Sequence, residues 1–264
     1  MWNWFRDRRR KKILATPFPG EWERIIQKHL PCYQHFNNVE KKRLQNLVQV
    51  FIADKHWVGC NGLPLTDKIR VVIAAQACLL ILALPGDYYR RVKSIYIYPS
   101  TVLVPERKKG FFEVSTTPTQ GPIPISGQAH YRGPVILVWD DVKEEARDPE
   151  QGHNVVYHEF AHKLDMLDGK ADGTPPLTSR EEYQRWMDIC SREFLELSDR
   201  IDRGQSTFID SYGATNEAEF FAVATEHFFN QPEQFKQYHP ELYQVLQGFY
   251  RQDPAQRVLD SRLS

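Results

Sequence analysis

The chain has 264 residues, 41% of them hydrophobic and 12% aromatic, which is enough to bury a substantial core in one large or two small domains. Lys and Arg together number 34 and so do Asp and Glu, so the formal net charge is zero and no global basic excess argues for nucleic-acid binding by the whole chain. Cys32, Cys60, Cys78 and Cys190 form no C-x-x-C pair; they read as reduced, structural thiols of a cytoplasmic protein and argue against a cysteine-built zinc site.

Residues 1–12 carry a basic cluster, Arg6, Arg8, Arg9, Arg10, Lys11 and Lys12, and read as a flexible, solvated tail. Trp2, Trp4 and Phe5 beside it offer a second reading, contact with a membrane surface or an acidic partner. Only four mainly apolar residues follow before a proline, so no secretory signal is expected. Residues 20–90 read as helical, with 3.6-type spacing over Glu21–Leu30 and Val39–Ala53. Gly59–Pro64 reads as a turn, and Thr66 opens a helix that is apolar nearly all round and central to the core. Its run Val71–Leu84 contains Gln76 and is too short to cross a bilayer, so no membrane span is expected.

From residue 93 the character changes. Lys93–Tyr98 and Thr101–Val104 cluster strand formers, Gly110–Pro124 reads as loop or irregular hairpin, and Gly133–Asp140 is the strongest strand signal in the chain. That last strand is expected either at a sheet edge lining a cleft, where an extended peptide can add by main-chain hydrogen bonds, or as an ordinary core strand. Residues 143–154 are charged. Gly169–Thr178 is a loop, Ser179–Leu197 an amphipathic helix, Asn216–Asn230 a helix, and Glu233–Tyr250 at least one more.

Between these segments lies Val155–Asp168, containing His158-Glu159-Phe160-Ala161-His162. On a helix, residues four apart share a face, so His158 and His162 put two imidazoles where one metal ion could bind both. Glu159 is one step round, placed to take a proton from a water at that metal. The alternative is a helix that happens to carry these letters. Val155, Val156, Phe160, Ala161 and Leu164 weigh against it, because a helix apolar on most sides rarely keeps three ionisable groups unless they are paired or bind metal.

Two histidines leave a zinc site one protein ligand short. Tyr212–Phe229 is apolar yet carries Glu217, Glu219, Glu226 and His227. Glu219 and Glu226 share one helical face, whereas Glu217 stands about 200° from Glu219 and cannot serve the same site. Two readings of Glu219 remain open on spacing: the third ligand, or the partner of Asn216 in a capping box. Glu226 is a second candidate ligand, or a surface residue, or a partner for a histidine. Asp165 is either a support for an imidazole N–H or a carboxylate on the helix surface.

HEFAHKLD followed by YGATNEAEFFAVATEHFF resembles the Mlc titration factor A family of bacterial zinc peptidases, and the second block also resembles the catalytic domain of anthrax lethal factor. RVVIAAQACLLIL, Tyr98-Pro99 and PVILVWD extend the likeness to that family over most of the chain. The resemblance implies an α+β fold. A zincin-like metallopeptidase core, a small mixed sheet with the H-E-x-x-H helix, follows a mainly helical N-terminal half, and residues 1–264 form one peptidase unit. It implies one Zn2+ held by His158, His162 and Glu219, with Glu159 as general base and Tyr212 facing the oxygen that bears the developing charge. For Tyr212 the other reading is an ordinary core or loop tyrosine. It further implies aminopeptidase-type hydrolysis of a peptide substrate, and binding of Mlc, a DNA-binding repressor of glucose-uptake genes. Direct contact with nucleic acid is not implied. The rival reading is a non-catalytic regulator that sequesters the repressor, with the zinc structural.

Overall fold

The computed structural model describes residues 2–100, 102–104, 123–125, 127–129 and 133–263. Much of the segment expected as the Gly110–Pro124 loop therefore lies outside the described residues.

The chain opens on four helices, α1 (Trp2–Leu14), α2 (Gly20–His29), α3 (Asn38–Asp54) and α4 (Asp67–Leu80), with strand β1 (His56–Gly59) between α3 and α4. The starts of α3 and α4 follow local chemistry. Asn37 and Glu40 close a reciprocal capping box on α3, and the Thr66 hydroxyl accepts from Ile69 N–H at 3.3 Å to begin α4. Every residue of α4 from Val71 to Leu80 is buried. At roughly 1.5–3 kcal/mol per buried Val, Leu or Ile side chain, this helix is a leading source of apolar stabilisation. It packs on α2 and α3 and also on the histidine-bearing helix.

The stretch read as a flexible basic tail is instead helix α1, laid against α3. Its arginines meet carboxylates. Arg10 donates to Asp54 at 3.2–3.3 Å and to Asp87 at 2.9 Å, Arg6 pairs with Asp87 at 3.2 Å, and Arg9 donates to the Ala53 carbonyl at 2.7 Å. Single surface pairs contribute little, but here two partly buried carboxylates gather three guanidinium groups into a network.

Strands β2 (Ser94–Tyr98), β3 (Val102–Val104), β4 (Ile123–Ile125), β5 (Gly127–Ala129) and β6 (Val135–Val138) follow. The main sheet runs β1-β2-β6-β5. Its first three strands are parallel, with His56 opposite Ser94 and Ile95 opposite Val135, and β5 is antiparallel to β6. β3 and β4 form a separate antiparallel pair. The strand expected over Gly133–Asp140 is thus β6, but it is shorter and interior. The edge beside it is β5, and the chain turns at Trp139 into helix α5 (Trp139–Glu145). The sequence reading of residues 20–90 as helical also missed β1, a four-residue strand following directly on α3 with little pattern of its own.

The remainder is helical: α6 (Val155–Asp165), α7 (Arg180–Asp202), a 3-10 turn at Ser211–Ala214, α8 (Glu217–Asn230), α9 (Pro232–Tyr238), α10 (Pro240–Tyr250) and α11 (Pro254–Leu263). Pro240 divides the expected Glu233–Tyr250 helix, since it cannot donate the next helical hydrogen bond. The result is a mixed α/β fold in which a small sheet stands beside many helices. Among the described residues no helix is long and apolar enough to cross a membrane, and all four cysteines are free.

The loop between α6 and α7 is anchored at Gly173. Its N–H donates to buried Asp165 at 3.1 Å, and its carbonyl accepts from Trp186 Nε1 at 3.1 Å. Gly173 has φ +73°, and a Cβ there would stand 2.2 Å from the Glu217 carbonyl oxygen at the start of α8. Backbone oxygen cannot step aside as a side-chain tip does. Gly173→Ala is therefore expected to cost about 2–4 kcal/mol, combining left-handed strain with a displaced α8. A denaturant midpoint within error of the parent would contradict this account.

Candidate metal centre

Helix α6 has two chemically different sides. Phe160, fully buried, enters an aromatic cluster with Tyr89 (centroids 4.8 Å apart) and Phe51 (5.7 Å), which fixes the helix against the N-terminal helices. The histidines face α8 instead. Asn154 caps α6, its side chain accepting from Tyr157 N–H at 2.9 Å. Two carboxylates complete that helix start: Glu145 accepts from Val155 N–H at 2.6 Å and Glu226 from Asn154 N–H at 2.5 Å.

His158, His162 and Glu219 are the one group of three His, Cys, Asp or Glu side chains among the described residues whose ligand atoms converge enough to hold a metal ion. His158 Nε2 lies 3.1 Å from His162 Nε2 and 2.9 Å from Glu219 Oε2, and His162 Nε2 lies 3.4 Å from the same oxygen. In a tetrahedral site with bonds of about 2.0–2.1 Å, neighbouring donors stand about 3.3 Å apart, so this triangle has the dimensions of one face of such a site. Glu219 Oε2 is buried without a properly directed hydrogen bond among the described residues, as a shared cation ligand would be. The donor set, two imidazoles and a carboxylate, suits a borderline metal such as zinc.

The two readings left open for Glu219 are both partly met. Asn216 does cap α8, accepting from Glu219 N–H at 3.0 Å. The Glu219 carboxylate does not return to close a box, as Glu40 does in α3; it turns to the histidines. Glu226 reaches the other nitrogen of the same ring, 2.8 Å from His158 Nδ1. A carboxylate accepts, so Nδ1 carries a proton, and Nε2 is the nitrogen that faces His162 and Glu219. Glu226 is thus the partner of a histidine, and Glu219 closes the triangle. Asp165 takes neither role expected of it. It is fully buried and holds the Gly173 N–H, so it supports the loop and not an imidazole.

Charge explains the titration of the centre. Burial alone would depress the His158 imidazole, but Glu219 and Glu226 outweigh it and lift it to about 10. Burial would raise Glu219, yet the two imidazoles set against it, His158 and His162, hold it at about 2. Glu159 is 3% exposed, its Oε2 lacks a hydrogen-bond partner among the described residues, and burial raises it to about 8 in spite of His158 and Lys163. Tyr212 lies at the mouth, 55% exposed, its ring 5.9 Å from that of His158. Its hydroxyl is held above the usual tyrosine range by partial burial and by Glu219 and Glu159.

Sequence reasoning overlooked the residues that support this centre. Glu145 and Asn154 lay in a stretch read only as charged, although Asn three positions before Tyr157 is a helix-start signal. Glu145 itself is pushed up to about 7 by burial.

Comparison with known proteins agrees with the chemistry. The profile of the family described as glucose-regulated metallo-peptidase M90 matches residues 3–251. An uncharacterized protein of Synechocystis is 38% identical over 250 residues, 94% of this chain and 90% of its own. Proteins named Mlc titration factor A are 33% identical in Klebsiella pneumoniae, over 92% of this chain and 89% of theirs, and 31% identical in Serratia proteamaculans, over 97% and 94%. With a metal-sized triangle of donors and a profile match over nearly its whole length, the chain belongs to the M90 family of glucose-regulated metallopeptidases.

Proposed function

We propose that this protein is a zinc-dependent peptidase with a zincin-like core, acting in the cytoplasm on peptides in the manner of an aminopeptidase. The observation that carries this reading is the triangle of His158, His162 and Glu219 with Glu159 buried beside it. His158, His162 and Glu219 would hold one Zn2+, leaving the remaining position open to the reaction. When bound, the ion supplies Lewis acidity to the scissile carbonyl and to the attacking water. Glu159 takes the water's proton and delivers it to the leaving amine. Burial has moved this carboxyl close to neutrality, where a group both accepts and returns a proton readily. Tyr212 donates from the mouth of the site to the oxygen on which negative charge develops. Glu226 keeps His158 in the tautomer that presents Nε2.

The relatives' name favours a second task alongside the first. Like the Mlc titration factors, the protein would bind an Mlc-type repressor and so influence transcription without touching nucleic acid. In the rival form of this reading the scaffold alone regulates and the zinc is structural.

Glu159→Gln is expected to keep about one equivalent of zinc while hydrolysis of a chromogenic aminoacyl anilide falls roughly 10²–10⁴-fold. Normal turnover by that variant would remove Glu159 as base. If it still captures purified Mlc-type repressor, regulation depends on the scaffold; loss of capture would tie regulation to the active centre.

Glu226→Gln cannot accept from both His158 Nδ1–H and Asn154 N–H through carboxylate oxygens, and its zinc affinity is expected to fall about 10–100-fold in a competition titration. An unchanged affinity would contradict the role given to Glu226.

The metal-free His158 keeps its proton up to about pH 10, and metal binding must expel it. The sign follows: apparent zinc affinity rises with pH, by roughly tenfold per unit for one displaced proton, across pH 6–8. A flat profile by calorimetry in that window would show that no proton is displaced.

A further inference from the structure

Tyr212 has the least packing of the residues around the centre, so its place beside His158 has to come from the backbone that carries it. That backbone is tied down at Asp210. Asp210 Oδ1 accepts from Tyr212 N–H at 2.7 Å, and the 3-10 turn closes with Gly213 N–H on the Asp210 carbonyl at 3.0 Å. The N–H of Asp210 in turn donates to Nε2 of His227 at 3.4 Å. His227 is buried in α8, next in the chain to Glu226, and takes no part in the triangle. Its Nδ1 lies 2.8 Å from Gln231 Oε1; an amide oxygen only accepts, so the ring proton is on Nδ1 and Nε2 is left as an acceptor. Burial holds this imidazole below the ordinary histidine range, which keeps Nε2 unprotonated.

The same ring also meets the segment that leads into α6. Gly152 has φ +84°, and a Cβ there would come within 2.6 Å of His227 Cε1, so the imidazole occupies the space that only glycine leaves. Asn230 donates to the carbonyls of Gly152 and His153 at 3.2 and 3.1 Å, and His153 Nε2 faces Asp210 Oδ2 at 3.8 Å. The two segments flanking the centre are therefore moored to one end of α8.

We propose that His227 and Asp210 are positioning residues that hold Tyr212 over His158 for the reaction. The proposal rests on the reading of Tyr212 as donor to the developing oxyanion. It adds the claim that an uncharged histidine outside the metal centre sets where that donor stands.

The test uses the full chain loaded with zinc and two variants of one residue. His227→Gln places an amide oxygen near the position of Nε2 and keeps an acceptor for Asp210 N–H, whereas His227→Asn is too short to reach it. In His227→Asn, amide exchange over residues 210–215 is expected to rise at least about tenfold, with kcat reduced about tenfold, KM little changed and zinc content intact. His227→Gln is expected to restore both. Asp210→Ala, at a partly exposed side chain, serves as a second variant and should behave like His227→Asn. In a Tyr212→Phe background neither lesion should lower kcat further, because both act through the same hydroxyl. Unchanged exchange in His227→Asn and Asp210→Ala, no rescue by Gln, or fully multiplicative losses with Tyr212→Phe would each overturn the proposal. Full activity of Tyr212→Phe alone would instead remove the oxyanion role of Tyr212, and the exchange data would still decide whether His227 sets its place.

Discussion

Glu219 and Glu226 stand two turns apart on α8 and address opposite nitrogens of one imidazole, His158. Much of the centre depends on this grip. It fixes the height of α6 along α8, because a shift of either helix by one residue's rise would lose one carboxylate. It fixes the orientation of the ring, and so which nitrogen faces His162. Through the second oxygen of Glu226 it also fixes the first turn of α6, at the Asn154 N–H. A helix start, a ring orientation and a triangle of donors are thereby set by two side chains of one element.

The electrostatic cost of this arrangement is plain in the perturbed groups. Four glutamates, Glu145, Glu159, Glu219 and Glu226, are drawn in around two imidazoles. Without a cation the set is short of positive charge. It compensates by holding a proton on His158 far above the usual range and by raising Glu159 and Glu145. The same carboxylates make the cluster of His158, His162 and Glu219 one that a divalent cation would suit by charge.

Much of this was legible in the letters. Thr66 and Asn216 cap helices at the starts read from their positions, because capping is a local hydrogen bond that needs no tertiary information. His158 and His162 share a face for the same reason: helical periodicity is local. What failed was non-local. The place of β6 inside the sheet depends on a partner strand, β5, too short to announce itself. The burial of Asp165 depends on a loop that folds back to offer it an N–H. The order in α1 depends on acids more than forty residues away in the chain. Spacing alone also left Glu219 and Glu226 both open as ligands, since both lie on one face and only the position of His158 distinguishes them; the resemblance named Glu219, and Glu219 is the one grouped with the histidines.

Phe160 sits between the two histidines in sequence, yet points away from them into Phe51 and Tyr89. The metal-facing side of α6 is thus braced by residues from the opposite half of the chain. The part that carries every donor atom does not contain its own foundation. A duplication or transplant of residues 133–263 would carry over the chemistry without the wall it leans on, which gives a physical reason for this centre to be inherited together with the helices before it and not as a portable module.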